Sequence, residues 1–156
     1  MTTIPPWSPV IVSTSDLARL RALVDSLASE LDPLGSLLHE KLKRAELREP
    51  DHVPNDTVTL DRFVTYRTTG SDRHERRLLI HPEDTMWPPA ELSAASPLGI
   101  TLLGLAAGDR VVVAGSELSE PPWVEVLAVE AAPAGGFVRR RSFALRVPGL
   151  SLADRR

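Results

Sequence analysis

The sequence contains no cysteine among its 156 residues, and this absence removes several kinds of site at once. A chain without thiols has no disulfide framework, no thiolate nucleophile and no cysteine-ligated metal. The composition suits a reducing compartment, so we expect the protein to be cytoplasmic.

Aromatic residues and long apolar runs are also scarce. Only 4% of the residues are Phe, Trp or Tyr, so the core must consist mainly of Leu, Val, Ile and Ala. No apolar run approaches the roughly 20 residues that a membrane-spanning helix needs. The first residues lack the basic and apolar regions of a signal peptide. We therefore expect no membrane partner, and the length fits one domain with an appendage, most simply as a monomer.

Motifs for catalysis and cofactor binding are missing as well. The sequence has no Gly-x-Ser-x-Gly elbow, no Walker loop and no dinucleotide-binding loop. Its histidines do not share the spacing of metal ligands; they are His39, His52, His74 and His81. The sequence predicts a protein that is not an enzyme and has neither a cofactor nor a metal site.

Charge is unevenly distributed along the chain. Residues 1–136 contain 12 Lys and Arg against 20 Asp and Glu, whereas residues 137–156 contain six Arg against one Asp. A solvated basic tail explains this pattern. The alternative is an arm that contacts nucleic acid or an acidic protein surface through Arg139, Arg140 and Arg141. The acidic body argues against nucleic acid as the main partner.

Two helices are predicted near the start of the chain. Ser15 is a suitable N-cap for the first, and Asp32-Pro33 is typical of the start of the second. Pro50 ends the second helix. Leucines and one valine follow the first N-cap at alternating spacings of three and four, as in a coiled coil; they are Leu17, Leu20, Val24, Leu27 and Leu31. The short connection predicts an antiparallel helical hairpin over residues 15–50, after a leader (residues 1–14) with an edge strand at Val10–Val12.

The apolar pattern changes to a period of two after Pro54, which predicts a β domain over residues 51–131. One short helix interrupts it, starting at Ser96-Pro97 and running to about Leu105. Residues 132–156 form a basic extension, with a possible strand between Phe137 and Val147. The order predicts an α+β fold with a mostly antiparallel sheet.

Carboxylates near the predicted hairpin turn are one candidate site. Asp25, Glu30 and Asp32 lie at or near the tip, where acids on a helical finger are able to reach into another protein. The alternative is that Asp32 is only an N-cap and Glu30 is simply solvated.

Two further groups are candidate partner contacts. Arg73, Arg76 and Arg77 form a basic cluster on or near a hairpin, which is either a solvated rim or a contact for an acidic partner. Trp87 lies in a proline-rich loop, either exposed as an interface anchor or buried with that loop on the sheet.

Four short motifs occur in the order known from one family, and they carry a resemblance to the C-terminal domain of the Gre transcription elongation factors. They are Ser96-Pro97-Leu98-Gly99, Leu102-Leu103-Gly104, Gly108-Asp109 and Trp123-Val124-Glu125-Val126. Upstream stretches are similar to the Gre-related regulators of nucleoside diphosphate kinase: Leu42–Glu46, Pro54–Leu60 and Ile80-His81-Pro82. The resemblance covers about residues 15–130.

The resemblance implies an FKBP-like C-terminal domain that docks on RNA polymerase near the secondary channel, with the hairpin directed at the channel. It makes Ser96 and Pro97 candidate polymerase contacts. Gre factors carry an acidic tip motif of the type D-x-x-E-N-x-E-Y, whereas this chain reads Ser29-Glu30-Leu31-Asp32-Pro33. We therefore expect occupation of the channel, or competition there, without stimulation of transcript cleavage.

Two other functions stay open at the level of sequence. The chain is alternatively an adaptor that regulates nucleoside diphosphate kinase levels through another protein. An FKBP-like domain also suggests a prolyl isomerase, but that activity needs an aromatic-lined pocket, and the sequence supplies only 3 Trp, 1 Tyr and 3 Phe.

Overall fold

The computed structural model describes residues 10–27, 33–83, 91–115 and 118–131, which form the predicted α+β fold. A 3₁₀ turn at Pro50–His52 separates an N-terminal pair of helices from the main sheet. The elements in chain order are β1 (Ile11–Ser13), α1 (Thr14–Ser26), α2 (Pro33–Arg44), β2 (Glu46–Arg48), β3 (Arg62–Thr68), β4 (Glu75–Ile80), β5 (Glu91–Ser93), α3 (Pro97–Leu102), β6 (Arg110–Val112) and β7 (Trp123–Ala131).

The start of α1 differs from the prediction. Ser13 is the N-cap, because its hydroxyl accepts a hydrogen bond from the backbone N–H of Ser15; Ser15 itself lies inside the helix. The buried face also differs from the predicted seam, since α1 buries Asp16, Leu20 and Leu23. The burial of Asp16 follows from its contacts with Leu60 and Arg19.

The second helix begins at Pro33, as predicted, but it is shorter than expected. It ends at Arg44, and residues 46–48 form β2 where the sequence predicted helix up to Pro50. The cause is tertiary: β2 pairs in parallel with β1, with Ile11 opposite Glu46 and Ser13 opposite Arg48. In the described parts of the chain, no helix is long and apolar enough to cross a membrane.

The main sheet has the strand order β5-β4-β3-β7-β6. Its neighbours are antiparallel except β4 and β5, which are parallel, so the mostly antiparallel prediction is confirmed. The pairing of β3 with β7 shifts register between Thr65 and Tyr66, as a β-bulge does. The strand suggested between Phe137 and Val147 lies outside the described residues.

Helix α3 follows β5 and ends at Leu102, three residues before the predicted end. Ser96 caps it, accepting a hydrogen bond from the N–H of Gly99 at 3.0 Å, and Pro97 occupies the first helical position. Gly99 packs so closely on β5 that a Cβ there would collide with the carbonyl oxygen of Ser93. Gly104 then turns the chain with φ of +87°, which glycine adopts without strain.

One apolar core joins the helices to the sheet. Leu20 and Leu23 of α1 and Leu38 of α2 belong to the same buried cluster as residues of the sheet and of α3. Gly35 brings α2 close to α1, since a Cβ there would lie 2.8 Å from the carbonyl oxygen of Leu27. The sheet and α3 contribute further members of this cluster, among them Val64, Tyr66, Leu79, Ile100, Leu102, Val124 and Val126.

Candidate functional site

The predicted tip is only partly within the described structure. Asp25 is exposed near the end of α1. Glu30 and Asp32 lie outside the described residues, as do Trp87 and the arginines at 139, 140 and 141. The structure therefore places a solvated carboxylate near the end of α1, and the other tip acids stay predictions.

The basic cluster of the β3–β4 hairpin is largely solvated and paired. Arg73 is exposed in the turn. Arg76 forms a salt bridge with Glu130 at 3.2 Å and stacks over the ring of Phe63 at 4.0 Å. Arg77 forms a salt bridge of 3.0 Å with Glu75. The glutamates offset the charges of Arg76 and Arg77.

The Ser96–Pro97 corner is a separate surface. Pro97 is exposed, while the Ser96 hydroxyl is used internally, accepting from Gly99 and donating to the carbonyl oxygen of Ser93 at 2.7 Å. Because Ser93 lies opposite Ile80, this corner is beside the end of β4, whereas Arg76 is near its start. At about 3.3 Å per residue, the two groups are roughly 13 Å apart along the strand.

A charged row that sequence reasoning missed crosses β6, β7 and β3. Arg110 and Arg67 both lie opposite Glu125 and donate to its Oε1, at 3.4 Å and 2.8 Å. The ring of Trp123 has the Arg110 guanidinium at 4.0 Å and that of Arg67 at 5.4 Å. Burial raises the pKa of Glu125, but the hydrogen bonds and charges of Arg67 and Arg110 outweigh it and lower this pKa below its ordinary value.

A second missed cluster joins α1 to the segment before β3. Asp16 is buried and accepts from the N–H of Leu60 at 3.3 Å. Arg19 donates to Asp16 at 3.3 Å and to Asp61 at 3.1 Å. Burial raises the pKa of Asp16, and the neighbouring Arg19 only partly offsets this. Asp16 is therefore an internal group that connects α1 to the segment before β3.

The third missed contact joins α2 to α3. The Lys41 ammonium donates to the carbonyl oxygens of Ile100 at 2.6 Å and Thr101 at 2.8 Å. These carbonyls lie at the C-terminal end of α3, where helix oxygens lack intrahelical partners and a cation is favourable. Burial lowers the pKa of Lys41 to about 7.

A polar cleft of about 460 Å³ lies beside the α1 cluster. Two carboxylates and two guanidinium groups line it, so its formal charge balances; they belong to Asp16, Asp61, Arg19 and Arg62. Within the part of the chain that the structure describes, no group of three or more metal-ligating side chains exists. The polar groups that the described residues bring together are the three internal clusters around Glu125, Asp16 and Lys41.

Comparison with known proteins agrees with this kind of architecture. The model for the C-terminal domain of the transcription elongation factors GreA and GreB matches residues 53–131. The regulator of nucleoside diphosphate kinase of Escherichia coli K12 is 29% identical over 102 residues, covering 65% of this chain and 75% of the relative. GreA of Thermotoga neapolitana is 36% identical over 76 residues, 49% of this chain and 48% of GreA.

The solved structures include a similar fold of nearly the same extent. A GreA/GreB transcription elongation factor from Nitrosomonas europaea superposes with a TM-score of 0.63 at 27% identity, covering 79% of this chain and 98% of that one. The fold, a helix pair attached to a mostly antiparallel sheet, is of the type found in GreA/GreB transcription elongation factors. The chain belongs to the GreA/GreB transcription elongation factor family.

Proposed function

We propose that this protein is a regulator that binds RNA polymerase and occupies the secondary channel, or competes there, without stimulating transcript cleavage. The observation that carries the proposal is the match of residues 53–131 to the Gre C-terminal domain, joined to short helices. In this proposal the FKBP-like C-terminal domain docks and α1 with α2 forms an antiparallel coiled-coil hairpin directed at the channel. The protein acts as a cytoplasmic monomer.

The length of the helices supports occupation rather than cleavage. Helix α1 has 13 residues and α2 has 12, so each spans about 20 Å at 1.5 Å per residue. The acids proposed for the tip, Asp25, Glu30 and Asp32, do not form the Gre acidic motif. A short finger without that motif blocks access without supplying metal ligands to the polymerase.

Binding to core RNA polymerase tests docking. The proposed contacts are the Ser96–Pro97 corner, Trp87 and the Arg73, Arg76 and Arg77 group. Pro97→Ala is a suitable variant because Pro97 is exposed, and Pro50→Ala, another exposed proline at a helix start, is its control. We expect micromolar or tighter binding at low salt, weakened about tenfold by the loss of about 1.4 kcal/mol in Pro97→Ala only. Absence of wild-type binding would refute the proposal.

A transcript-cleavage assay on stalled complexes tests the second half. We expect that the wild-type protein alone causes no transcript cleavage. We also expect that it inhibits the cleavage that added GreA stimulates. Robust cleavage that the variant Glu30→Ala/Asp32→Ala loses would show that the tip acids act in the polymerase, contrary to the proposal.

A second candidate is an adaptor that changes nucleoside diphosphate kinase levels through another partner. The 29% identity to a protein named as a regulator of that enzyme favours it. Kinase levels that respond to deletion of this protein, in the absence of polymerase binding, would support the adaptor.

The arginines at 139–141 are proposed as a nucleic-acid contact, tested by charge-neutralising substitution.

A further inference from the structure

We infer that Arg19 and Lys41 are positioning residues, which fix the direction of the helix pair, defined as α1 and α2, relative to the main sheet. The two side chains form polar joints to different parts of the sheet domain. The inference is that the helix pair and the sheet move as one body.

The first joint holds α1. Arg19 bridges a carboxylate of its own helix, Asp16, and one of the domain, Asp61, while Asp16 also accepts from the backbone of Leu60. Asp61 is itself fixed, because its N–H donates to Leu79 of β4 at 2.7 Å and its backbone has φ of +69°. A rotation of α1 about its axis therefore breaks charged hydrogen bonds to a segment that does not follow.

The second joint holds α2. Lys41 donates two hydrogen bonds to carbonyls at the end of α3. Helix α3 is in turn seated on β5 through the close approach of Gly99 to Ser93. Lys41 lies on α2 and binds α3, whereas Arg19 lies on α1 and binds Asp61. Lys41 therefore opposes motions of the helix pair that Arg19 alone permits.

The apolar core does not provide this constraint by itself. Contacts of leucine and valine are non-directional, so the burial of apolar area does not by itself distinguish between arrangements of the helices that bury similar area. The hydrogen bonds of Arg19 and Lys41 are directional and are lost over small displacements. Two such joints on two helices select one arrangement among those that bury similar apolar area.

The role of this arrangement in transcription rests on the proposed function. A fixed direction sends the tip to one place once the C-terminal domain has docked. Loss of the joints then leaves docking intact and impairs only the action of the tip.

Distances between spin labels test the inference without polymerase. Because the chain has no cysteine, Ala22→Cys on α1 and Asp72→Cys in the β3–β4 turn provide two exposed and unique labels. We expect one narrow distance distribution. A broad wild-type distribution would overturn the inference whatever the variants do.

Variants then identify the residues responsible. We expect Arg19→Gln/Lys41→Met to widen the distribution at least about twofold, since local ordering is lost. Arg21→Gln/Lys43→Met changes exposed charges on the same helices and should leave it unchanged. A second label pair, Asp51→Cys with Asp72→Cys, reports motion within the sheet domain and should stay narrow in every variant. The single variants Arg19→Gln and Lys41→Met replace the double one if circular dichroism shows it unfolded.

An unchanged width in the folded double variant, or in both folded single variants, would show that the core alone holds the pair. On polymerase, we expect the double variant to bind within about threefold of wild type but to lose inhibition of GreA-stimulated cleavage. Equal inhibition by both proteins would refute the positioning role. Absence of wild-type binding would refute the proposed function and leave the distance result standing.

Discussion

At the scale of single residues, two charged side chains are withdrawn from water in opposite surroundings. Glu125 is only 1% exposed but faces two arginines, while Lys41 faces only carbonyl oxygens in the contacts given above. A buried charge beside an opposite charge keeps its ionised form. A buried lysine that contacts only the dipoles of carbonyl groups loses its proton more readily. The two residues should therefore affect stability in different pH ranges.

Glu125→Gln should lower the free energy of unfolding by about 1–3 kcal/mol at neutral pH, because two arginines lose the negative charge that they share and keep at most a neutral amide acceptor. The folded-state pKa of Glu125 is depressed, so its contribution exists above the ordinary value of 4.5 and disappears as pH falls through the folded-state value. Urea titrations of both proteins across that range measure this. The matched control is Glu130→Gln, in an exposed pair, which should change stability by under about 0.5 kcal/mol; equal effects would contradict the prediction.

Lys41→Met should remove a pH dependence of the free energy of unfolding above neutral pH. Burial lowers the folded-state pKa from 10.5 to about 7, so between these values the unfolded chain binds a proton that the folded chain lacks. The free energy of unfolding of the wild-type protein should therefore rise with pH in that window relative to the variant. Urea denaturation between pH 7 and 10 checks the sign, with Lys43→Met as the exposed control. A difference that falls with pH would show that the carbonyl contacts keep Lys41 charged.

These residue roles were not predictable from the sequence alone. Arg19 meets Asp61, 42 positions away, and Lys41 meets α3 about 60 positions away. Local sequence patterns do not indicate contacts over such distances in the chain. Arg67, Arg110 and Glu125 became a group only through the register of three strands.

At the scale of elements, the predictable parts were those with local signals. Ser96-Pro97 predicts the start of α3, because a capping hydroxyl and a proline at the first position act within one turn. Strand β2 was not predictable, since Glu46-Leu47-Arg48 favours helix and becomes a strand only by pairing with β1. The sequence does not show why residue 99 is glycine. The reason is the close approach of α3 to β5, which leaves no space for a side chain.

Gly99→Ala should destabilise the protein by more than about 2 kcal/mol, because the new methyl group meets a backbone carbonyl that side-chain motion cannot relieve. Ala95→Gly, a neighbouring change that adds no atoms, provides a comparison for the local backbone. Thermal unfolding of both variants checks this. A Gly99→Ala protein as stable as wild type would mean that α3 is able to shift away from β5.

At the scale of the whole molecule, the helix pair and the sheet share one core. The sequence predicted an antiparallel hairpin over residues 15–50 with the leucine spacing of a coiled coil, too short to be stable without packing against the rest of the chain. Two short helices are marginal by themselves, and here they bury Leu20, Leu23 and Leu38 against the sheet side of the core. The interface between the two parts is thus internal packing.

Unfolding should accordingly be a single transition. In a Trp7→Phe/Trp87→Phe background, fluorescence reports Trp123 in β7, and far-ultraviolet circular dichroism reports the helices. Both signals should have the same urea midpoint. Leu20→Ala should lower both midpoints together, because it reduces the free energy of unfolding by about 2–5 kcal/mol. Helical signal lost at lower urea than the fluorescence change would contradict a shared core.

The parallel pairing of β1 with β2 has a consequence for how such proteins diversify. These strands immediately precede α1 and follow the end of α2, so they clasp the two chain ends of the helix pair beside each other. A finger fastened at its base is free to change length at its far end. Seven residues added to each helix there would extend reach by about 10 Å and leave the clasp, the joints and the sheet as they are. The length of the helix pair is then able to change by one heptad at a time, in evolution or by design.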